Sequence, residues 1–393
     1  MALCLSLLVL TGCKNKTNDP NGDGKPIDTV IKIGVFEPFT GLNSGEGKKE
    51  ALGIEFANTL QNTLDINGQT YTIELKRSDN ATSATAASAA AYELIGAGCD
   101  IVLGSVGSDV SMAAADIFGK AGIGMLGTSC TEPLITESYN NTYRVCYLES
   151  FEGPVMAAYA AKHYSASTAY ILMKNGDDMS GAQGERFKEA FKASGGTVFE
   201  GRYQDGNTDF TDYLAAAAED GAGVLYAPIP ASDADLVISQ MSAQADVIPI
   251  LASSAWDSDD VLTAVLGAGL EVSIPAAFDE AIGTDTGAGF VNAFKAWLVA
   301  NPDKLADNGG SDTVSAVAAL GYDAYMTAIE AIKNAGSAEP GDILAALSGT
   351  VYNGVTGRVA FTSTGDAVRD GACILRADPS GGVWRFETYQ KVS

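Results

Sequence analysis

Ile101-Val-Leu-Gly-Ser-Val-Gly-Ser-Asp109 writes a strand, a glycine-rich loop and a helix start into one short run. Ile101–Leu103 is wholly apolar, as a strand covered on both faces must be. The helical stretch Ser108–Lys120 follows, then a second apolar strand, Gly124–Leu126. Strand, crossover helix, strand is the unit from which parallel sheets are built. The same rhythm extends toward the N-terminus. Ile31–Phe36 is a strand, and Glu46–Leu64 is a helix with Ile54, Ala57, Leu60 and Leu64 on one face. Tyr71–Lys76 is the next strand and Ala81–Ile95 an alanine-rich helix.

Toward the C-terminus the rhythm restarts. Strands Ala169–Met173, Thr197–Tyr203, Gly223–Tyr226 and Val247–Leu251 alternate with helices Ala182–Ala193, Phe210–Glu219 and Ala234–Gln244. After Ile274 come the long helices Gly287–Ala300 and Thr313–Ala335, a shorter one from Gly341, and the strand-like runs Gly357–Phe361, Cys373–Ala377 and Val383–Tyr389. The pattern predicts an α/β protein of two doubly wound, parallel-sheet lobes. Lobe I comprises residues 30–147 plus 276–352 and lobe II residues 148–275 plus 353–393, with interlobe crossings near Tyr147, Pro275 and Tyr352. A chain of 393 residues suits two such cores.

The N-terminal segment is of another kind. Leu3–Leu10 is almost wholly apolar but too short to span a bilayer, and reads as the core of a signal peptide over residues 1–12. It runs into Leu10-Thr-Gly-Cys13, which resembles the lipobox of bacterial lipoproteins and makes Cys13 the lipidated residue. Residues 13–29 are polar and glycine-rich, a flexible tether. Asp19–Gly24 imitates the start of a calcium loop, but Val30 stands where the bidentate Glu is needed, so no metal is assigned.

A net charge of −25 excludes a nucleic-acid partner, which requires clustered Lys and Arg. A single His, His163, argues against histidine-based catalysis or metal binding. Cys99 and Cys373 abut apolar runs as buried thiols, while a Cys130–Cys146 disulfide stays open. Gly122–Gly127 fits G-x-G-x-x-G but lies on a strand and opens no helix, so it is no dinucleotide site. Asp177-Asp178 and the acids Asp257, Asp259 and Asp260 read as solvated loop residues before they read as catalytic pairs. The chain carries no cofactor motif and is expected to bind rather than catalyse.

Ligands of open α/β sheets sit beyond the carboxyl ends of the strands. Two strand exits stand out. At Gly104–Asp109, Ser108 offers a hydroxyl and a backbone N–H at a helix N-terminus, suited to an anion; it is equally suited to serve as a helix cap. Gly127–Pro133 gathers Thr128, Ser129, Cys130 and Thr131 in one exit, or else is an ordinary Ser/Thr-rich turn.

The opening Ile31–Gly41, together with Ile101–Gly107, Thr131–Thr136, Glu152-Gly153-Pro154 and Ala319–Ala324, resembles the leucine/isoleucine/valine-binding family of periplasmic binding proteins, of type I fold. The order and spacing of these segments carry the likeness from Ile31 to the C-terminus. The resemblance implies an extracytoplasmic, lipid-anchored, monomeric substrate-binding protein of an ABC importer. Its ligand would be a small amino acid of the branched-chain type or a related carboxylate, delivered to a membrane permease after hinge closure. A ligand-binding sensor or receptor component of the same fold is the alternative. The resemblance further implies that Ser108 holds the ligand carboxylate, and that Ser129 and Thr131 meet the ammonium. The position where an acid completes the ammonium site is Ser254, so Asp257 or Asp109 is expected to substitute. Ser44 stands where an aromatic is frequent, and Phe151, Met179 and Trp256 are expected as walls.

Overall fold

The computed structural model describes residues 29–282 and 285–392. Among these described residues, fifteen strands lie in two large sheets and a small hairpin. The first sheet takes β1 (Val30–Glu37), β2 (Thr63–Ile66), β3 (Gln69–Asp79), β4 (Ile101–Leu103), β5 (Gly124–Gly127) and β6 (Thr142–Arg144), in the order β2-β3-β1-β4-β5-β6. The second is built from β7 (Thr168–Lys174), β8 (Thr197–Tyr203), β9 (Val224–Ala227), β10 (Ile250–Ala252) and β11 (Val272–Ala276). β12 (Tyr352–Gly354) and β13 (Gly357–Val359) form the hairpin, and β14 (Gly371–Asp378) and β15 (Val383–Lys391) complete the second sheet, ordered β15-β14-β11-β10-β9-β7-β8. The result is the two doubly wound lobes that the sequence predicts.

The interior strand pairs are parallel, as the alternating pattern predicts, but the edges are not. At one end of each sheet, β2 runs antiparallel to β3, and β14 runs antiparallel to both β11 and β15. The first departure has a local cause. Asn67 and Gly68 both have positive φ, 50° and 83°, which suits the tight hairpin turn that twists with its strands. That turn creates β2, so the first helix ends at Leu60 rather than at Leu64. Leu64 and Ile66 still reach the core, from a strand.

The chain passes from the first sheet to the second after β6 and returns as helix Ala316–Ala335, which packs on helix Ser44–Leu60. A Cβ on Gly53 would lie 1.9 Å from the Ala318 carbonyl oxygen, and one on Gly321 would lie 2.2 Å from that of Glu50. Glycine at both positions lets the two helices cross with their backbones in contact, and this fixes where the Glu50 side chain emerges. Helix Asp285–Ala300 closes on the pair through Phe290 and Phe294, whose rings lie 6.0 and 5.3 Å from that of Phe56. Strands β14 and β15 then finish on the second sheet. In the first sheet β1 is flanked by β3 and β4, and in the second β7 is flanked by β8 and β9. These reversals of strand order are where loops splay and crevices open.

Candidate functional site

A cleft of about 340 Å³ opens where loops from the two sheets meet. From the first sheet, the exit of β5 supplies Ser129 and Thr131. From the second, the turn after β10 supplies Ser254, Ala255 and Asp257. Met179 and Gln183 come from helix Asp178–Ala193, and Glu152 from the start of helix Glu152–His163. The rest of the wall is largely aliphatic, with Ala276, Val317 and Leu320 beside Tyr147 and Cys146.

The loop carrying Ser129 and Thr131 is pinned from below. Arg144 is fully buried and donates to the Cys130 carbonyl at 2.8 Å and to Thr136 Oγ1 at 2.8 Å, while pairing with Asp366 at 2.8 Å. Ser129 Oγ donates to Glu50 Oε2 at 2.5 Å. Glu50 and Glu37 are both fully buried. Burial, the largest cause, raises both carboxyls: Glu37 to about 7, and Glu50 well above the ordinary range, with the neighbouring Glu37 charge adding to the effect.

Opposite, Glu152 is only 2% exposed. Its Oε2 accepts from the Ser254 N–H at 3.0 Å and from Gln183 Nε2 at 3.0 Å, and its Oε1 accepts from the Ser254 hydroxyl. An acid in the first helical turn is favoured by the helix dipole.

Of the residues singled out in the sequence, Ser129, Thr131, Met179, Ser254 and Asp257 come together in this one cleft. Ser108 lies half-buried at the start of its helix beside it, its hydroxyl accepting the Glu132 N–H at 3.2 Å. Ser44 begins helix Ser44–Leu60 and Asp109 is exposed; neither lines the cleft. Phe151 lines a separate depression with Tyr147, Pro154 and Arg186, its ring 5.6 Å from that of Tyr147. Trp256 corrects the expectation of an aromatic wall. It is fully buried, and its indole N–H donates to the Ile229 carbonyl at 2.9 Å, so the ring fills the core under the β10 turn.

Sequence reasoning missed Glu152 and Gln183 on the cleft wall, and Glu37 and Glu50 beneath the loop that carries Ser129. Glu152 stood inside a quoted segment with no role, and nothing local to Glu37 or Glu50 announces that a distant serine will meet them. Cys99, Cys130, Cys146 and Cys373 are all buried free thiols, with Cys146 Sγ 3.3 Å from the Cys130 carbonyl. Asp177 is a helix cap, accepting from the Ser180 N–H at 2.8 Å. No cluster of three or more metal-ligating side chains occurs among the described residues, and no helix among them is long and apolar enough to cross a membrane. Cys13, the signal segment, the tether and its calcium-like stretch lie outside the described residues.

Two lobes with a small cleft between them, apolar apart from a few convergent polar groups, are the mark of a solute-binding protein. Residues 30–382 match the family of periplasmic binding proteins, and the chain belongs to that family. It is similar to the leucine-, isoleucine-, valine-, threonine- and alanine-binding protein of Pseudomonas aeruginosa, 26% identical over 344 residues that cover 86% of this chain and 87% of that one. Among solved structures it resembles a leucine-binding protein of Thermotoga maritima, with a TM-score of 0.69, 25% identity and coverage of 92% and 99% of the two chains. A solute-binding protein of an ABC transporter from Rhodopseudomonas palustris, in complex with 3,4-dihydroxybenzoic acid, shares the fold with a TM-score of 0.67, 20% identity and coverage of 93% and 98%. The protein is thus an ABC-transporter substrate-binding protein of the Leu/Ile/Val group, an extracytoplasmic family that binds small molecules and works with membrane permeases.

Proposed function

We propose that this protein captures an aliphatic α-amino acid, branched-chain members first, by closing its lobes over the cleft, and delivers it as a monomer to an ABC permease. The observation that carries this reading is the composition of the cleft. Hydroxyl and carboxylate groups of Ser129, Thr131, Ser254, Asp257 and Glu152 face aliphatic Ala276, Val317 and Leu320 in a volume of about 340 Å³. A few convergent polar groups in a small apolar pocket suit a ligand with a charged head and a short hydrocarbon tail. Ser108, at the adjoining helix N-terminus, is the proposed anchor of the ligand carboxylate.

Titration calorimetry with L-leucine, L-isoleucine, L-valine, L-alanine, benzoate and 3,4-dihydroxybenzoate tests the reading. Tight binding of the branched-chain amino acids, with the benzoates weak or silent, is expected. Binding of the benzoates alone would overturn it. The anchoring part of the proposal rests on Leu10-Thr-Gly-Cys13. Expressed in a bacterial host, the protein is expected in the membrane fraction and Cys13→Ala in the soluble one. A Cys13→Ala protein that remains acylated and membrane-bound would refute it.

A further inference from the structure

We propose that Cys130 and Cys146 are an oxidation site, at which a hydroperoxide joins the two thiols in a disulfide that clamps the loop carrying Ser129 and Thr131 to the exit of β6. The inference is independent of which ligand fills the cleft.

The fold gathers the two sulfurs from neighbouring strand exits. Cys130 follows β5 and Cys146 follows β6, and Gly127 is paired with Arg144 across the two strands. A Cβ on Gly127 would lie 3.5 Å from the Cβ of Arg144 and 2.4 Å from the Cys130 sulfur. Glycine there lets the Cys130 side chain lie back against the sheet, on the face that Arg144 presents. The Val145 N–H donates to the Gly127 carbonyl at 2.8 Å, which carries the pairing one residue past β6. Strand alternation then returns Cys146 to the face of Arg144. Its thiol donates to the Cys130 carbonyl at 3.3 Å. The Arg144 guanidinium donates to the same carbonyl at 2.8 Å, so the backbone at Cys130 is held in place beside the second sulfur.

Cys130 is fully buried, and Cys146 is 4% exposed on the cleft wall, so an oxidant that reaches them in the folded protein must be small. The Cys146 thiol beside it, with the Arg144 guanidinium, holds the Cys130 thiol down to about 7 against burial. Cys146 is raised, with Cys130 the first cause and burial the second. A readily ionised sulfur beside a protonated one suits an attacking and a resolving thiol. The Cys130 thiolate attacks one oxygen of hydrogen peroxide and the O–O bond breaks. Hydroxide leaves and, with the proton that Cys130 gave up, becomes water. The Cys146 sulfur then displaces hydroxide from the sulfenic acid on Cys130, and its own proton completes the second water. Two electrons pass from the thiols to the peroxide. Outside the cytoplasm, where this family works, no cytosolic thiol pool reverses the bond.

The test treats the full chain, reduced and then freed of reductant, with hydrogen peroxide. Remaining thiols are blocked with N-ethylmaleimide, and the protein is digested with trypsin without reduction. Cleavage after Lys120, Arg144 and Lys162 puts the two cysteines on separate peptides, residues 121–144 and 145–162. Mass spectrometry is expected to find these two joined. Cys99 and Cys373, whose thiols burial pushes up to about 12, are expected blocked and unlinked. The thermal midpoint is expected to rise by at least about 3 °C on oxidation and to return with dithiothreitol. In Cys146→Ser the resolving sulfur is gone, so dimedone is expected to trap a sulfenic acid on Cys130. Separate, blocked peptides overturn the proposal, as does a link from either one to Cys99 or Cys373. Joined peptides with an unmoved midpoint overturn the clamp. The mapping is made on the wild type, so it decides the matter even if Cys146→Ser does not fold.

Discussion

The carboxyl groups of Glu37 and Glu50 lie beneath the loop that carries Ser129, both without exposure to solvent, where the charge of Glu37 bears on Glu50. Glu37 Oε2 also accepts the Val106 N–H at 3.0 Å, and Glu37 Oε1 faces the Thr128 hydroxyl at 3.4 Å. Two such groups cannot both ionise in a dry site, so the pair holds a proton near neutral pH. The loop that carries Ser129 into the cleft is thereby tied to a buried pair of acids that holds a proton.

This pair predicts a pH dependence with a definite sign. Glu37 is raised from the ordinary 4.5 to about 7, and Glu50 is raised as well. An acid whose folded value is raised stabilises the protein fully below the unfolded value and loses that contribution as pH rises through the folded one. The thermal unfolding midpoint is therefore expected to fall between about pH 5 and 8, by an amount equivalent to at least about 1 kcal/mol. In Glu50→Gln the coupling to Glu37 is gone and the slope flattens over the same range. Identical pH slopes in wild type and variant would show that the pair is not proton-linked.

A second prediction concerns the point where the chain crosses toward the last strands. Asp323, fully buried on helix Ala316–Ala335, accepts from the Val355 N–H at 2.8 Å, the Thr356 N–H at 2.8 Å and the Thr356 hydroxyl at 2.5 Å. Arg369 meets the same segment through the Thr356 carbonyl at 2.9 Å, and also reaches the Val145 carbonyl. The segment at Val355–Thr356 and the one at Val145 are thus tied together at one place. Asp323→Ala strands these donors and is expected to cost on the order of 3 kcal/mol in urea unfolding. A loss below about 0.5 kcal/mol would mean the network carries no stability.

Trp256 gives a prediction that separates core from cleft. Because its ring is buried and its N–H is bonded to Ile229, Trp256→Phe is expected to cost about 1–3 kcal/mol of stability through the orphaned carbonyl and lost volume. Leucine affinity in the folded variant should stay within about threefold. A large loss of affinity at unchanged stability would restore Trp256 to the ligand wall.

The alternation of apolar runs and amphipathic stretches made the interior of both sheets legible, because parallel strands must be apolar throughout and their crossover helices must be periodic. Edge strands carry a weaker signal. Thr63–Ile66 alternates exposed and buried residues and merges by eye with the helix before it; only the Asn67-Gly68 turn that follows marks it as one arm of a hairpin. The site was legible where a strand exit gathers hydroxyls, as at Ser129 and Thr131. It was not legible where a side chain arrives from elsewhere in the fold. Glu152 meets Ser254 across 102 positions of sequence, and no local spacing encodes that meeting. Trp256 was misread for the same reason: beside a ligand loop, an aromatic looks the same whether it faces the cleft or the core.

The last prediction concerns the other end of the ligand. Ser108 begins helix Ser108–Lys120, and its hydroxyl oxygen accepts the N–H of Glu132, the residue after Thr131. A hydroxyl that accepts on its oxygen still carries its proton, which it can donate to an anion at the helix N-terminus. Ser108→Ala removes that donor and leaves the Glu132 N–H to seek another partner. The expected result is a ten- to hundredfold loss of affinity, on the order of 1.5–3 kcal/mol. The carboxylate is common to L-leucine and 4-methylpentanoate, which lacks the amine, so both probes should weaken together. If Ser108→Ala binds both probes as the wild type does, the carboxylate lies elsewhere. If it weakens leucine alone, Ser108 acts on the ammonium side and the orientation of the ligand in the cleft is inverted.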